Sequence, residues 1–249
     1  MKGFYKVDLF DCPPFEMFEV NDCPRARDIL DHKRFEPQSM MLWCDLVRNA
    51  TSVLDIGAQV GVYSLAAAAL RKDIAIHAFE PNPDAFARLQ IHKTINQFDN
   101  INLHREALSN MTGRGFLCWN DKGHISSGAR VGTPKRSYLN TITVPIHTIT
   151  MIDTGLIETL GPRPLIKIDV EGFEDRVISG FGDLLDRRPD ILIECFSQEN
   201  ADNINKIVGR MGYYFYKIIE HGSYLMIDGM HAADPKGEDF NFFMTTREI

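Results

Sequence analysis

Val53-Leu54-Asp55-Ile56-Gly57-Ala58-Gln59-Val60-Gly61 reads as a buried β-strand that runs into a glycine turn and on into a helix. The surrounding stretch, Thr51 to Leu70, is mostly apolar and spans roughly the length of a bilayer-crossing helix. Asp55, Gln59 and two glycines interrupt it, and β-branched residues crowd only its first half, so strand, turn and helix describe it better. Outward from here the rhythm repeats. β-rich runs stand at 52–56, 74–79, 101–104, 164–170 and 190–195, with helical patterns at 61–71, 83–97 and 173–186 between them. Strands alternating with helices predict an α/β fold whose parallel sheet is covered on both faces. Pro83 suits a first helical turn, with Asn82 as its cap.

Two regions depart from this rhythm. Residues 105–147 hold five glycines and then the strand-like Thr141 to His147, which predicts a β-rich insertion or hairpin with a mobile loop over 120–136. After a helix pattern at 199–210, the runs 213–219, 223–227 and 240–246 predict antiparallel strands closing one edge of the sheet. Residues 1–50 have a different texture, with Pro13, Pro14, Pro24 and Pro37 and a short amphipathic helix at Ser39 to Arg48. The expected organisation is an N-terminal cap on the substrate side, 1–50, and one globular unit over 51–249.

Composition narrows the classes. The 249 residues are 44% apolar and 24% charged, with no repeat or linker, as in an ordinary globular protein. Lys and Arg number 27 against 34 Asp and Glu, a net −7 without any basic block, so no nucleic acid is expected as a main partner. Cys12, Cys23, Cys44, Cys118 and Cys195 are odd in number and match no metal spacing, which suggests unpaired thiols in a reducing cytoplasm. Asp8 and Asp11 interrupt the N-terminus, which lacks a signal peptide's apolar run. The expectation is a cytoplasmic protein with no membrane span.

In an open parallel sheet, ligands bind outside the carboxyl ends of the strands, where strand order reverses. Gly57 would let backbone come close to a ligand, and Gly61 would let the helix pack tightly on the strand. Gln59 stands where the dinucleotide fingerprint needs glycine, and no Gly-Lys-Ser/Thr follows, so pyrophosphate is disfavoured. Asp55 at the strand's end repels phosphate and suits an ammonium or sulfonium. Glu80, 25 residues on, ends the second strand, where a carboxylate grips ribose hydroxyls. An amino group, a ribose and no phosphate describe S-adenosylmethionine. The plain alternative has Asp55 capping the helix turn and Glu80 merely exposed.

The segments DIGAQVGVYSL, AFEPNPDAFARL, REALSN, LIKIDVEGFEDRVISG and RPDILIE together resemble the FkbM family of S-adenosylmethionine-dependent methyltransferases, over roughly residues 36 to 220. The KIDVEG block is the most specific element. Gln59 stands where the family often has Asn, and Phe173 where it often has Ala. The resemblance implies a class I (Rossmann-like) methyltransferase fold, a seven-stranded mostly parallel sheet with one antiparallel strand. It implies methylation of hydroxyl oxygens, often on sugars or natural products. Carried over residue by residue, Asp55, Gly57 and Gly61 would cradle the methionine portion and Glu80 the ribose. Pro81 and Asn82 would flank the adenine, and Glu106 and Ala107 would touch it.

Lys167, Asp169 and Glu171 alternate with apolar residues, so strand geometry would put all three on one face, the last two near the cleft. Three charges on a buried strand need partners. Asp169 could take a hydroxyl proton or, with Glu194 from the next strand's end, hold magnesium or manganese. The alternative is an internal ion pair of Lys167 with one carboxylate. His124, in GHISSGAR, is a candidate base on a loop over the acceptor, whereas His77 and His147 read as structural. Asn241 sits where the family often has an asparagine near the acceptor.

The leading expectation is therefore methyl transfer from S-adenosylmethionine to a hydroxyl of a small-molecule acceptor, a sugar or natural product. N-methylation of a small amine, a non-catalytic nucleoside-binding module and, more distantly, an oxidoreductase are the rivals. Self-association into a homo-oligomer is left open.

Overall fold

The computed structural model describes residues 2–10, 12–20, 29, 35–120, 130–132, 141–232 and 239–249. Strands β1 (Gly3–Val7) and β2 (Phe15–Glu19) form an antiparallel hairpin, followed by helix α1 (Pro37–Val47). The alternation then runs β3 (Ser52–Ile56), α2 (Val62–Leu70), β4 (Ala75–Phe79), α3 (Pro83–Ile95) and β5 (Ile101–His104). A second, four-stranded sheet follows: β6 (Ala107–Leu108), β7 (Gly113–Asn120), β8 (Arg130–Val131) and β9 (Thr141–Ile149), with β7 and β9 as a long antiparallel hairpin. The main sheet resumes with β10 (Pro164–Ile168), α4 (Glu174–Ser179), α5 (Asp183–Asp186), β11 (Asp190–Glu194) and α6 (Gln198–Val208). It closes with β12 (Tyr214–Ile218), β13 (Tyr224–Ile227) and β14 (Asn241–Thr245).

The main sheet has the order β13-β12-β14-β11-β10-β3-β4-β5. Strands β11, β10, β3, β4 and β5 are parallel, and β14 runs against both β11 and β12. Strand order reverses between β3 and β10, where β3 pairs with β4 on one side and β10 on the other. Successive side chains on a strand face opposite ways. Val53, Ile76, Leu165, Leu192 and Phe243 thus face a core shared with α2, α3 and the N-terminal hairpin. Leu54, Ile56, Ile166, Ile168, Ile193 and Phe242 face the core shared with α4 and α6. The hairpin sits on α3, where Arg88 donates to the Phe18 carbonyl at 3.0 Å and lies 3.8 Å from Glu19.

Asn82 caps α3 as expected, its side chain accepting from Asp84 and Ala85 N–H, with Pro83 in the first turn. Other expectations need correcting. Among the described residues the main sheet counts eight strands, two of them running against the rest, because β13 extends the edge as a hairpin with β12. The helix expected over 173–186 is two short ones. Gly180 between them packs so closely that a Cβ would lie 2.0 Å from the Ser109 carbonyl, and Gly182 adopts φ +54°. His147 is exposed on β9 rather than structural. Strand β10 ends at Ile168, two residues early, and Glu171 takes a left-handed φ of 56°. The loop expected to be mobile lies largely outside the described residues. Those residues contain no helix long and apolar enough to cross a membrane. Among the described residues Cys12, Cys44, Cys118 and Cys195 form no disulfide, and Cys23 lies outside those residues.

Candidate active site

The carboxyl ends of β3, β4, β10 and β11 open into a cleft of about 1240 Å³ including its mouth, roofed by Leu117 and Val131 of the smaller sheet. In one half, Asp55 is 2% exposed and accepts hydrogen bonds from Ser64 N–H (3.0 Å) and Ser64 Oγ (2.5 Å). It therefore satisfies donors at the start of α2 and lines the cleft as well. Burial pushes its carboxyl up to about 6, against the Ser64 bonds and Lys167, which pull it down. Glu80 is buried rather than exposed. Its Oε1 accepts from Asn82 N–H and its Oε2 from Gln59 N–H, both at 2.7 Å. Burial lifts Glu80 to about 7, although these two backbone bonds oppose it.

Gly57 lines the cleft, and its turn also meets a neighbouring backbone. Gly57 has φ +84°, and a Cβ there would lie 1.8 Å from the Asp169 carbonyl. Its missing side chain makes room for the neighbouring strand's loop. Gly61, with φ +93°, packs against Leu89 of α3 rather than against the strand, and it does not line the cleft. Asn82 does not line it either, since its side chain caps α3. Pro81, Glu106 and Ala107 are lining residues.

The other half is a buried charge network. Lys167, 1% exposed, is the cross-strand neighbour of Asp55. Its Nζ donates to Asn241 Oδ1 at 3.3 Å, lies 3.8 Å from Asp169 and sits 5.1 Å from the Tyr63 ring centre. Burial works against the Lys167 charge, but Asp169, Glu36, Glu194 and Asp55 outweigh it and raise its proton affinity. Asp169 N–H is held by the Ile56 carbonyl at 2.9 Å. Carboxylate oxygens of Asp169, Glu171 and Glu194 come within 4.8 Å of one another. A turn brings Glu171 there, not the expected strand pleat. Burial, then the adjacent Asp169, pushes Glu194 far above the usual carboxyl range.

Sequence reasoning missed Glu36 and Tyr63. Tyr63 OH donates to Glu36 Oε2 at 2.6 Å, and Asn241 Nδ2 donates to the same oxygen at 3.1 Å. Trp43 Nε1 fixes Tyr63 through its carbonyl at 3.0 Å. Tyr63 looked like part of an apolar helix, and Glu36 lies in a segment without periodicity. His124 falls outside the described residues.

A parallel sheet with a carboxylate at the tips of two neighbouring strands and a glycine turn between them has its cleft at the switch point where open α/β sheets bind ligands. Residues 55–215 match the model of the methyltransferase FkbM domain, and the chain belongs to the FkbM methyltransferase family. Its members take their methyl group from S-adenosylmethionine. A solved S-adenosylmethionine-dependent methyltransferase from Agrobacterium tumefaciens superposes with a TM-score of 0.50 at 7% identity, covering 99% of this chain and 71% of that one. A precorrin-6y C5,15-methyltransferase from Geobacter metallireducens gives 0.44 at 14% identity, covering 91% and 92%. An rRNA methylase from Streptococcus thermophilus gives 0.46 at 11% identity, covering 85% and 97%. At such identities the likeness is one of fold alone. A comparison with curated proteins finds no match.

Proposed function

We propose that this protein transfers the methyl group of S-adenosylmethionine to a hydroxyl oxygen of a small-molecule acceptor, a sugar or natural product. The observation that carries this reading is one cleft with two differently built halves. Asp55 and Glu80, buried acids poised near 6 and 7, suit an ammonium and a ribose diol. Pro81, Glu106 and Ala107 leave a slot beside them for the adenine. S-adenosylmethionine supplies an activated methyl on a sulfonium. The acceptor oxygen's electron pair forms the O–C bond as the C–S bond breaks, giving the methyl ether, S-adenosylhomocysteine and a proton. Asp169, at the cleft's other half, receives that proton, while Lys167 steadies the charge beside it. An acidic cleft holds an amine protonated and non-nucleophilic, which favours oxygen over nitrogen as the acceptor atom.

A second reading of the same half rests on the oxygen separation of at most 4.8 Å among Asp169, Glu171 and Glu194. Such hard ligands suit magnesium or manganese, which would acidify the acceptor hydroxyl.

S-adenosylhomocysteine is expected to raise the melting temperature and NAD to leave it unchanged. At a ligand concentration 100 times its Kd, the stabilisation is about 2.7 kcal/mol, or roughly 5 to 10 °C for a chain this long. Glu80→Ala should weaken that binding by about 1 to 3 kcal/mol, the effect of unpaired buried hydroxyls. Equal calorimetric affinity in the variant would remove Glu80 from the site.

The buried acids also set a pH dependence. Asp55 and Glu80 have folded proton affinities above the ordinary carboxyl value. The ligand-free protein therefore loses stability as pH rises from about 4 towards 7, where only the unfolded chain has shed these protons. A ligand that favours the ionised pair binds more tightly at pH 8 than at pH 6, by about tenfold for one unit of Glu80 titration. Calorimetry at pH 6 in two buffers of different ionisation enthalpy should detect released protons. Proton uptake, or affinity independent of pH, would contradict the assignment.

A further inference from the structure

Glu36 occupies the N-cap position of α1 in a left-handed conformation, φ 41° and ψ 58°, yet its side chain makes no capping bond. A carboxylate held in strained backbone and turned away from its helix points to a role elsewhere. Both of its hydrogen bonds, from Tyr63 and Asn241, land on Oε2, and Oε1 has no hydrogen-bond partner among the described residues. Glu36 lines the cleft beside Phe35 and Tyr63, with Phe196 across the same cavity. Among the described residues the lining carries seven carboxyl side chains and one basic group, Lys167. That cation is already engaged by Asn241, Asp169 and the Tyr63 ring. Asp55, Glu80 and Glu106 belong to the donor half, and Glu36, Asp169, Glu171 and Glu194 still leave the acceptor half acidic.

Such a cavity repels phosphorylated or carboxylated acceptors. A carboxylate among aromatic faces is the chemistry that recognises an organic ammonium. We infer that Glu36 is a specificity-determining residue that seats a protonated amine of the acceptor, so that the acceptor is an amine-bearing alcohol. The inference rests on the O-methylation reading and narrows it. Protonation keeps the amine from competing for the methyl group, and the ammonium–Glu36 contact aligns the neighbouring hydroxyl towards Asp169.

The test uses three probes of matched shape: benzylammonium, benzyl alcohol and benzoate. Each is titrated by ligand-observed NMR into the full chain saturated with S-adenosylhomocysteine, as wild type and as Glu36→Gln. Wild type should bind benzylammonium about tenfold more tightly than benzyl alcohol, and benzoate more weakly than either, the scale of one charge-assisted contact beside aromatic rings. In Glu36→Gln the cation's advantage should shrink to about twofold while benzyl alcohol is unchanged. An absent preference in wild type, no saturable binding of benzylammonium, or an unaltered preference in the variant would overturn the assignment. If Glu36→Gln does not fold, Glu36→Asp, which keeps the charge but draws it back, should also reduce the cation's advantage, and an unaltered preference there overturns the assignment. Failure to bind S-adenosylhomocysteine sinks the methyltransferase reading instead, a distinguishable result.

Discussion

Asp169→Asn is expected to lower turnover by about 10² to 10⁴, the usual effect of losing a general base, while S-adenosylhomocysteine binding survives. Asparagine keeps the shape of the side chain and removes its charge, and the Asp55–Glu80 half of the cleft is untouched. The competing account makes Asp169 the ion-pair partner of Lys167, and then stability and cofactor binding should fall together. The pair is formed, at 3.8 Å, although the Lys167 hydrogen bond goes to Asn241, so the variant decides between the two accounts. A chelator separates the two catalytic readings of Asp169. Inhibition reversed by magnesium or manganese assigns the carboxyl trio to a metal; indifference assigns Asp169 to the proton. Melting temperature, cofactor affinity and turnover measured on one preparation settle the matter. A stable, cofactor-binding variant with near-normal turnover would remove Asp169 from the chemistry.

Gly57→Ala should be the most destructive alanine substitution among the described glycines. An added Cβ would lie 1.8 Å from the Asp169 carbonyl and 2.7 Å from its carbon, both backbone atoms that cannot rotate away. Left-handed backbone at an alanine costs about 1 to 2 kcal/mol. Overpacking adds about 1 to 3 kcal/mol more. Gly172→Ala is the control, since φ is +103° there but the Cβ meets nothing within 4 Å, so only the conformational term applies. Denaturant unfolding of the two variants compares them directly. Equal losses would show that the contact with Asp169 is not rigid.

Local patterning made much of the fold legible. The strand, turn and helix at 52–70 and the cap at Asn82 are written in adjacent residues. The insertion's hairpin and the antiparallel edge were legible for the same reason. What was illegible came from long range. Glu36 reaches Asn241 across 205 residues, and no spacing rule connects an unpatterned N-terminal segment to the last strand. The pleat argument for Glu171 failed because the chain leaves the sheet after Ile168 and turns left-handed, yet the turn still delivers Glu171 beside Asp169 and Glu194. Gly57, read for ligand approach, does line the cleft, but the neighbouring backbone it also makes room for was invisible in the sequence.

The two halves of the cleft are anchored by different kinds of bond. Asp55 and Glu80 are held largely by main-chain N–H groups of Ser64, Gln59 and Asn82. Changing either acid would leave backbone donors of the loop unsatisfied. Around Tyr63, Glu36, Asn241 and Lys167 the bonds run between side chains. Side-chain partners can be exchanged in pairs without disturbing the main chain. On the proposed assignment, evolutionary drift should leave the half built on main-chain bonds frozen while the half built on side-chain bonds changes readily, so that relatives with this sheet would diverge first around Tyr63, Glu36 and Asn241.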